Sequence, residues 1–91
     1  MTVRAHALKS WRHLFQPMKN GEKHHDLRKM DRDYQVGDFV FLNEYDVDTG
    51  KFTGETILRK ITYITSHVTP CAVSSAVLDK GYCILSYGVV E

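Results

Sequence analysis

The stretch Lys23-His24-His25-Asp26-Leu27-Arg28-Lys29 concentrates side chains that could hold an anion, a proton or a metal ion. Read as a strand, it places His24, Asp26 and Arg28 on one face and Lys23, His25, Leu27 and Lys29 on the other, because successive side chains point to opposite sides. A strand face turned to a core is normally apolar. This polar face therefore implies either a solvated edge strand decorated with charge or one wall of a cleft. Arginine suits bidentate contact with a phosphate or a base edge, and Asp26 would orient Arg28 or accept from a base amino group. Lys9, at the end of an earlier expected strand, extends the basic set.

Other chemistries have weaker signatures. Adjacent histidines on a strand cannot share one ion; His24 with Asp26 and His6 could, but the Cys/His spacing typical of zinc sites is missing, and neither a metal nor a cofactor is expected. The run Asp46-Val-Asp-Thr-Gly50 begins like a calcium loop. It fails at positions six and twelve, where a glycine and a bidentate glutamate belong, and reads as a hairpin turn. No GxSxG, Walker or HExxH motif occurs. The one catalytic candidate is Lys23, which would act as a base if desolvated beside a carboxylate.

The elements that must position these residues follow from the apolar pattern. Val3–Lys9 alternates weakly and reads as a short strand. Ser10 is a candidate helix cap, followed by Trp11, Leu14, Phe15 and Met18 at helical spacing. Pro17 should kink this helix or end it near Gln16, and Asn20-Gly21 is a stop signal. After Lys23–Lys29 comes a tight polar connection, Met30–Gly37, in which Asp31, Arg32 and Asp33 hold the bend, with Arg32 paired to a neighbouring acid. Phe39-Val-Phe-Leu42 reads as a strand buried on both faces. Asp46–Gly54 is a loop of turn formers. Thr56–Thr65 is a long strand with Ile57, Ile61 and Tyr63 on one face. Ser66–Lys80 is weakly patterned, with one or two helical turns near residue 73. The last strand, Tyr82–Val90, alternates Cys83, Leu85, Tyr87 and Val89 against Ile84 and Ser86.

About five strands with one or two short helices, and no regular strand–helix alternation, predict an α+β, mainly β domain: a small mixed or antiparallel barrel that closes its own edges. At 91 residues, 43% hydrophobic and 25% charged, residues 1–91 are expected to form a single globular domain with a modest core. No run approaches the roughly 20 apolar residues of a membrane helix. The beginning of the chain has no apolar signal core, so a cytoplasmic protein is expected. Cys71 and Cys83 are read as reduced, with Cys83 buried in its strand. A net charge of +1 conceals a split: residues 1–30 carry seven Lys/Arg against two acids, and residues 31–91 carry five against nine. The first third could attract a phosphate backbone, or the two segments could pair within the fold.

Several pieces of the sequence resemble a small bacterial or phage member of the ASCH family, within the PUA-like superfamily. They are His6-x-Leu8-Lys9, Gly21-x-Lys23-x-x-Asp26-Leu27-Arg28-Lys29, Asp31-Arg32-Asp33-Tyr34-x-Val36-Gly37-Asp38, Leu42-x-Glu44-Tyr45-Asp46 and Gly81-Tyr82-x-Ile84-Leu85-Ser86. The chain departs from the family pattern at His24, where a Thr is usual, at His25, and at Asp26, where a Glu is usual. The resemblance implies a PUA-like β-barrel with a cleft beside the first helix, lined by the Gly21–Arg28 segment. It also implies recognition of RNA or a modified nucleobase; taken with the polar strand face, the expectation is a non-catalytic domain that binds RNA or a nucleotide through Lys9, Lys23, His24, Asp26, Arg28 and Lys29, with His24 or Trp11 able to stack on a base. Two alternatives stay open: a small amidohydrolase-like enzyme on modified nucleosides with Lys23 as base, and an interaction module, plausibly phage-encoded, that binds a host protein.

Overall fold

The computed structural model describes residues 4–69 and 78–90. Five strands and one helix follow in the order β1 (Ala5–Trp11), α1 (Arg12–Lys19), β2 (His25–Lys29), β3 (Phe39–Asp46), β4 (Lys51–Thr65) and β5 (Tyr82–Val89). The expected helical turns near residue 73 and Cys71 lie outside the described residues, as does Val3 of the first expected strand. Among the described residues, no helix is long and apolar enough to cross a membrane.

The strands form one sheet in the order β1-β3-β4-β5-β2, curled into a half-barrel. β1 runs parallel to β3, with Ala5 opposite Phe39 and Trp11 opposite Tyr45. The β3–β4, β4–β5 and β5–β2 pairs are antiparallel. The chain is thus mainly β, as its pattern predicts, but the sheet does not close on itself. β1 and β2 remain as its two edges, each hydrogen-bonded to the sheet on one side only.

The concave side carries the core. Leu8, Val40, Leu42, Ile61, Cys83, Leu85 and Tyr87 project inward from the strands, and Phe15 and Met18 of α1 join them. Cys83 is buried as expected, and its thiol is pushed up by that burial. The Phe39–Leu42 segment is not buried on both faces. Val40 and Leu42 point inward, whereas Phe41 is 41% exposed, because among the described residues no second layer covers the outer side of the sheet. The grouping of Tyr63 with Ile57 and Ile61 also fails. Ile61 pairs with Tyr87, but Tyr63 pairs with Ser86, so Thr62 is an extra residue on β4. That bulge reverses the alternation, turning Tyr63 to solvent and packing Ile64 against the core. Close approach at this bulge explains Gly88, where a Cβ would sit 2.9 Å from the Thr62 methyl.

Helix α1 runs through Pro17 to Lys19 instead of ending at Gln16. Proline removes one hydrogen bond and crowds the carbonyl one turn back, that of His13. His13 lies in the exposed first turn, where water can serve its carbonyl, and the burial of Phe15 and Met18 holds the helix together. Gly21, with φ +82°, ends the helix as the Asn20-Gly21 signal predicts. Ser10 does not cap it. Trp11 is the capping residue and makes no side-chain cap, while Ser10 belongs to β1 on the buried face of Leu8.

The β3–β4 turn is a four-residue hairpin loop, Val47–Gly50, with the Asp46 carbonyl accepting from Gly50 and its carboxylate accepting from the Asp48 amide. Further along, β4 bulges at residues 53–55 opposite Glu44. Glu44 is buried and accepts from Thr53 Oγ1 at 2.7 Å and Gln16 Nε2 at 2.6 Å, tying the bulge to α1. Burial would raise its carboxyl, but the two hydrogen bonds and the charges of Arg12 and Lys19 together outweigh it, and the pKa lies below the ordinary value.

The connection between β2 and β3 is anchored by Asp38. Its carboxylate accepts from Arg4 Nε at 3.2 Å, His6 Nε2 at 2.8 Å and the Gln35 amide at 3.0 Å. Burial raises this carboxyl, yet the hydrogen bonds from His6 and Gln35 and the charge of Arg4 together lower its pKa. Arg4 also reaches the carbonyl and carboxylate of Asp33. The bend is therefore held by Arg4, not by Arg32, which has no ion-pair partner among the described residues.

Candidate nucleotide-binding cleft

The open seam of the half-barrel, between edges β1 and β2, holds two adjoining cavities. The larger, about 410 Å³, is bordered by Leu8 and Lys9 of β1 and Arg28 and Lys29 of β2, together with Arg32, Tyr34 and Tyr82. The second, about 320 Å³, is bounded by Ser10 and Trp11 of β1, Leu14 of α1, and Asp26 and Arg28 of β2. Lys9, Leu27 and Arg28 border both, so the two are halves of one cleft. Their sizes are at the lower end of the range for small-molecule sites. Four cationic residues (Lys9, Arg28, Lys29, Arg32) and two anionic ones (Asp26, Asp31) border it.

β2 projects its polar face inward. Asp26 is 4% exposed and Arg28 is half-buried, while His25, Leu27 and Lys29 face out. The inward turn follows from the pairing: Asp26 lies opposite Leu85 and Arg28 opposite Cys83, both core residues, and directly opposed residues share a sheet face. A buried carboxylate needs partners, and Asp26 finds them around one oxygen. Oδ2 accepts from Arg28 Nε at 2.9 Å and from the Tyr87 hydroxyl at 3.3 Å, with Arg28 Nη2 2.8 Å away in the ion pair. Oδ1 faces only the Lys23 ammonium, at 3.6 Å. Burial and the adjacent Asp26 charge push the Tyr87 phenol far up, so it remains a donor at neutral pH. Tyr34, which borders the larger cavity, is buried with its ring edge-on to His6 at a 4.9 Å centroid distance, and burial raises its phenol too.

The six residues singled out from sequence are not all gathered here. Asp26, Arg28 and Lys29 border the cleft. Lys9 also borders it, but its ammonium rests 4.2 Å from the Tyr45 ring centroid, so the side chain leans toward β3 and away from β2. His24 precedes the strand, is exposed and borders neither cavity; its carbonyl accepts from the Tyr87 amide. Lys23 also borders neither, and its ammonium donates to the His25 carbonyl. His6 is engaged by Asp38, and no cluster of three metal-ligating side chains occurs among the described residues.

Sequence reasoning missed Ser10, Tyr34 and Arg32 as cleft residues. Ser10 is 2% exposed, and its Oγ has no hydrogen-bond partner among the described residues. Continuing the β1 alternation two residues past Leu8 would have placed it inward. Arg32 and Tyr34 belong to the cleft only because their connection packs beside the seam, and single-strand patterns carry no such information.

No curated protein matches the sequence. The model of one family, described as "Domain of unknown function (DUF3850)", matches residues 5–87, and with that span covering nearly the whole sheet and the cleft the chain belongs to this family.

Proposed function

We propose that the chain binds single-stranded RNA or a nucleotide in the cleft between β1 and β2, as a reader rather than a catalyst. The observation that carries this reading is the buried Asp26–Arg28 pair, which fixes a guanidinium at the border of two cavities with Lys29 and Arg32 close by. A guanidinium held in one orientation loses less freedom on meeting a phosphate or base edge than a free surface arginine does. Trp11 at the rim, half exposed, supplies a stacking surface of the kind RNA readers use. The resemblance to ASCH and PUA-like domains supports the same reading.

Titration of a short single-stranded RNA by fluorescence anisotropy at several salt concentrations tests it. Each phosphate contact contributes about −0.7 to the slope of log K against log salt. Engagement of Arg28, Lys29 and Arg32 gives a slope near −2, and Arg28→Gln makes it shallower by about 0.7. A flat salt dependence, or no binding at low salt, refutes the reading. The hydrolytic alternative has less support. A general base must reach the proton it removes, and Lys23 borders neither cavity.

A further inference from the structure

The two halves of the cleft differ in chemistry. The larger collects Arg28, Lys29 and Arg32 against a single acid, Asp31. The smaller is walled by Trp11, Leu14 and Leu27, and its polar side chains include two with unmet capacity. Among the described residues, Ser10 Oγ is buried without a partner, and Asp26 Oδ1 has only the Lys23 ammonium at 3.6 Å while Oδ2 takes two hydrogen bonds. An unpaired buried hydroxyl is costly, and an acceptor-only carboxylate repels an anion. A phosphate is therefore wrong for this half. A flat ring that offers an N–H beside an acceptor atom matches that open capacity: the N–H suits Asp26 Oδ1, the acceptor suits the Ser10 hydroxyl, and Trp11, Leu14 and Leu27 border the same cavity.

Resting on the proposed nucleotide reading, we infer that the smaller cavity is a base pocket and the larger one a phosphate pocket, with Arg28 at the junction. All four common bases present an N–H next to an acceptor, so the pocket detects the presence of a base rather than its identity. Asp26 imposes the requirement for a donor, because a carboxylate cannot reverse its role, whereas the Ser10 hydroxyl can rotate.

Trp11 is the sole tryptophan and borders the pocket, so its fluorescence reports occupancy. Three probes are titrated into the full chain: uridine 5′-monophosphate, its 3-methyl derivative, which lacks the ring N–H, and ribose 5-phosphate, which lacks the base. The unmodified nucleotide should quench Trp11 and bind at least about tenfold more tightly than the methylated one, the cost of leaving a buried charged acceptor unserved. Ribose 5-phosphate should bind more weakly still, without quenching. Asp26→Asn, whose amide can turn to donate or accept, should bring the two nucleotides to within about threefold of each other. Should that variant not fold, Ser10→Ala serves instead, with an expected several-fold loss for the unmodified nucleotide. Equal affinity for the methylated and unmodified nucleotides, or for nucleotide and sugar phosphate, overturns the base pocket. Salt-dependent RNA binding alongside such equality leaves the broader reading standing, and absence of both kinds of binding overturns both.

Discussion

Asp38 and Asp26 are alike in burial and in being gripped by an arginine, yet they are finished differently. Their side chains are 5% and 6% exposed. Both oxygens of Asp38 are taken, by Arg4, His6 and the Gln35 amide. Asp26 has one oxygen crowded with donors and the other facing a lysine beyond hydrogen-bond distance. The first site joins the β2–β3 connection to β1 and β3, and its chemistry ends within the protein. The second stands at the unclosed seam and keeps acceptor capacity beside a cavity. A buried charge with every partner supplied fastens the fold; one left incomplete at an opening keeps unspent acceptor capacity.

The comparison breaks first on stability. Asp38→Ala should cost about 3 kcal/mol in urea unfolding, because it strands the half-buried His6 and releases Arg4 and the Gln35 amide together. A loss under about 1 kcal/mol would mean that the connection is held by the burial of Tyr34 instead.

Acid should act on the same fastener. The folded-state pKa values of Asp38 and Glu44 both lie below their ordinary values. Their contribution to stability is therefore fully present above the ordinary carboxylate range, about pH 4, and is lost as pH falls through the lowered values. Unfolding free energy measured against pH should hold steady above about pH 5 and drop below about pH 4. In Asp38→Asn the drop should be smaller; an unchanged acid limb would remove Asp38 from the account.

Much of this arrangement could be read from residue order. Alternation located Cys83, Leu85 and Tyr87 in the core, although Val89, expected on the same face, is exposed; the Asn20-Gly21 stop ended α1; and of the expected polar face His24, Asp26 and Arg28, the last two border the cavities while His24 does not. The misses share a cause: they depend on which strand lies beside which. Tyr63 was misplaced because the Thr62 bulge exists only in the pairing with β5. Ser10 looked like a helix cap because a serine before a helix usually is one, and only the pairing of β1 with β3 carries the strand on to Trp11. The seam itself follows from a strand order in which β2 crosses to the far edge from β1, and no local pattern encodes that. Lys9 belongs to the basic set by sequence, but the register with β3 brings Tyr45 within reach of its ammonium.

At Asp26 the balance should tilt from stability to binding. Asp26→Asn keeps the shape and can still accept from Arg28 and Tyr87, so the unfolding free energy should fall by only about 1 kcal/mol. RNA affinity should fall more, since Arg28 loses the charge that fixes its orientation. A stability loss as large as that of Asp38→Ala, with affinity intact, would make Asp26 a second fastener and erase the contrast.

The smallest effect is the sharpest test of incompleteness. Removing a hydroxyl that is satisfied within the fold costs stability, because its partner is left bare; removing one that has no partner does not. Ser10→Ala deletes a buried Oγ without a partner among the described residues, and Leu8, its neighbour on the same face, keeps the local packing apolar. The variant should therefore unfold within about 0.5 kcal/mol of the parent, or slightly later, in the same urea titration. A fully buried polar residue that can be removed at no cost to the fold is held there for something other than folding. A loss above about 1.5 kcal/mol would show instead that Ser10 is satisfied internally, and would return the smaller cavity to the status of a packing defect beside the seam.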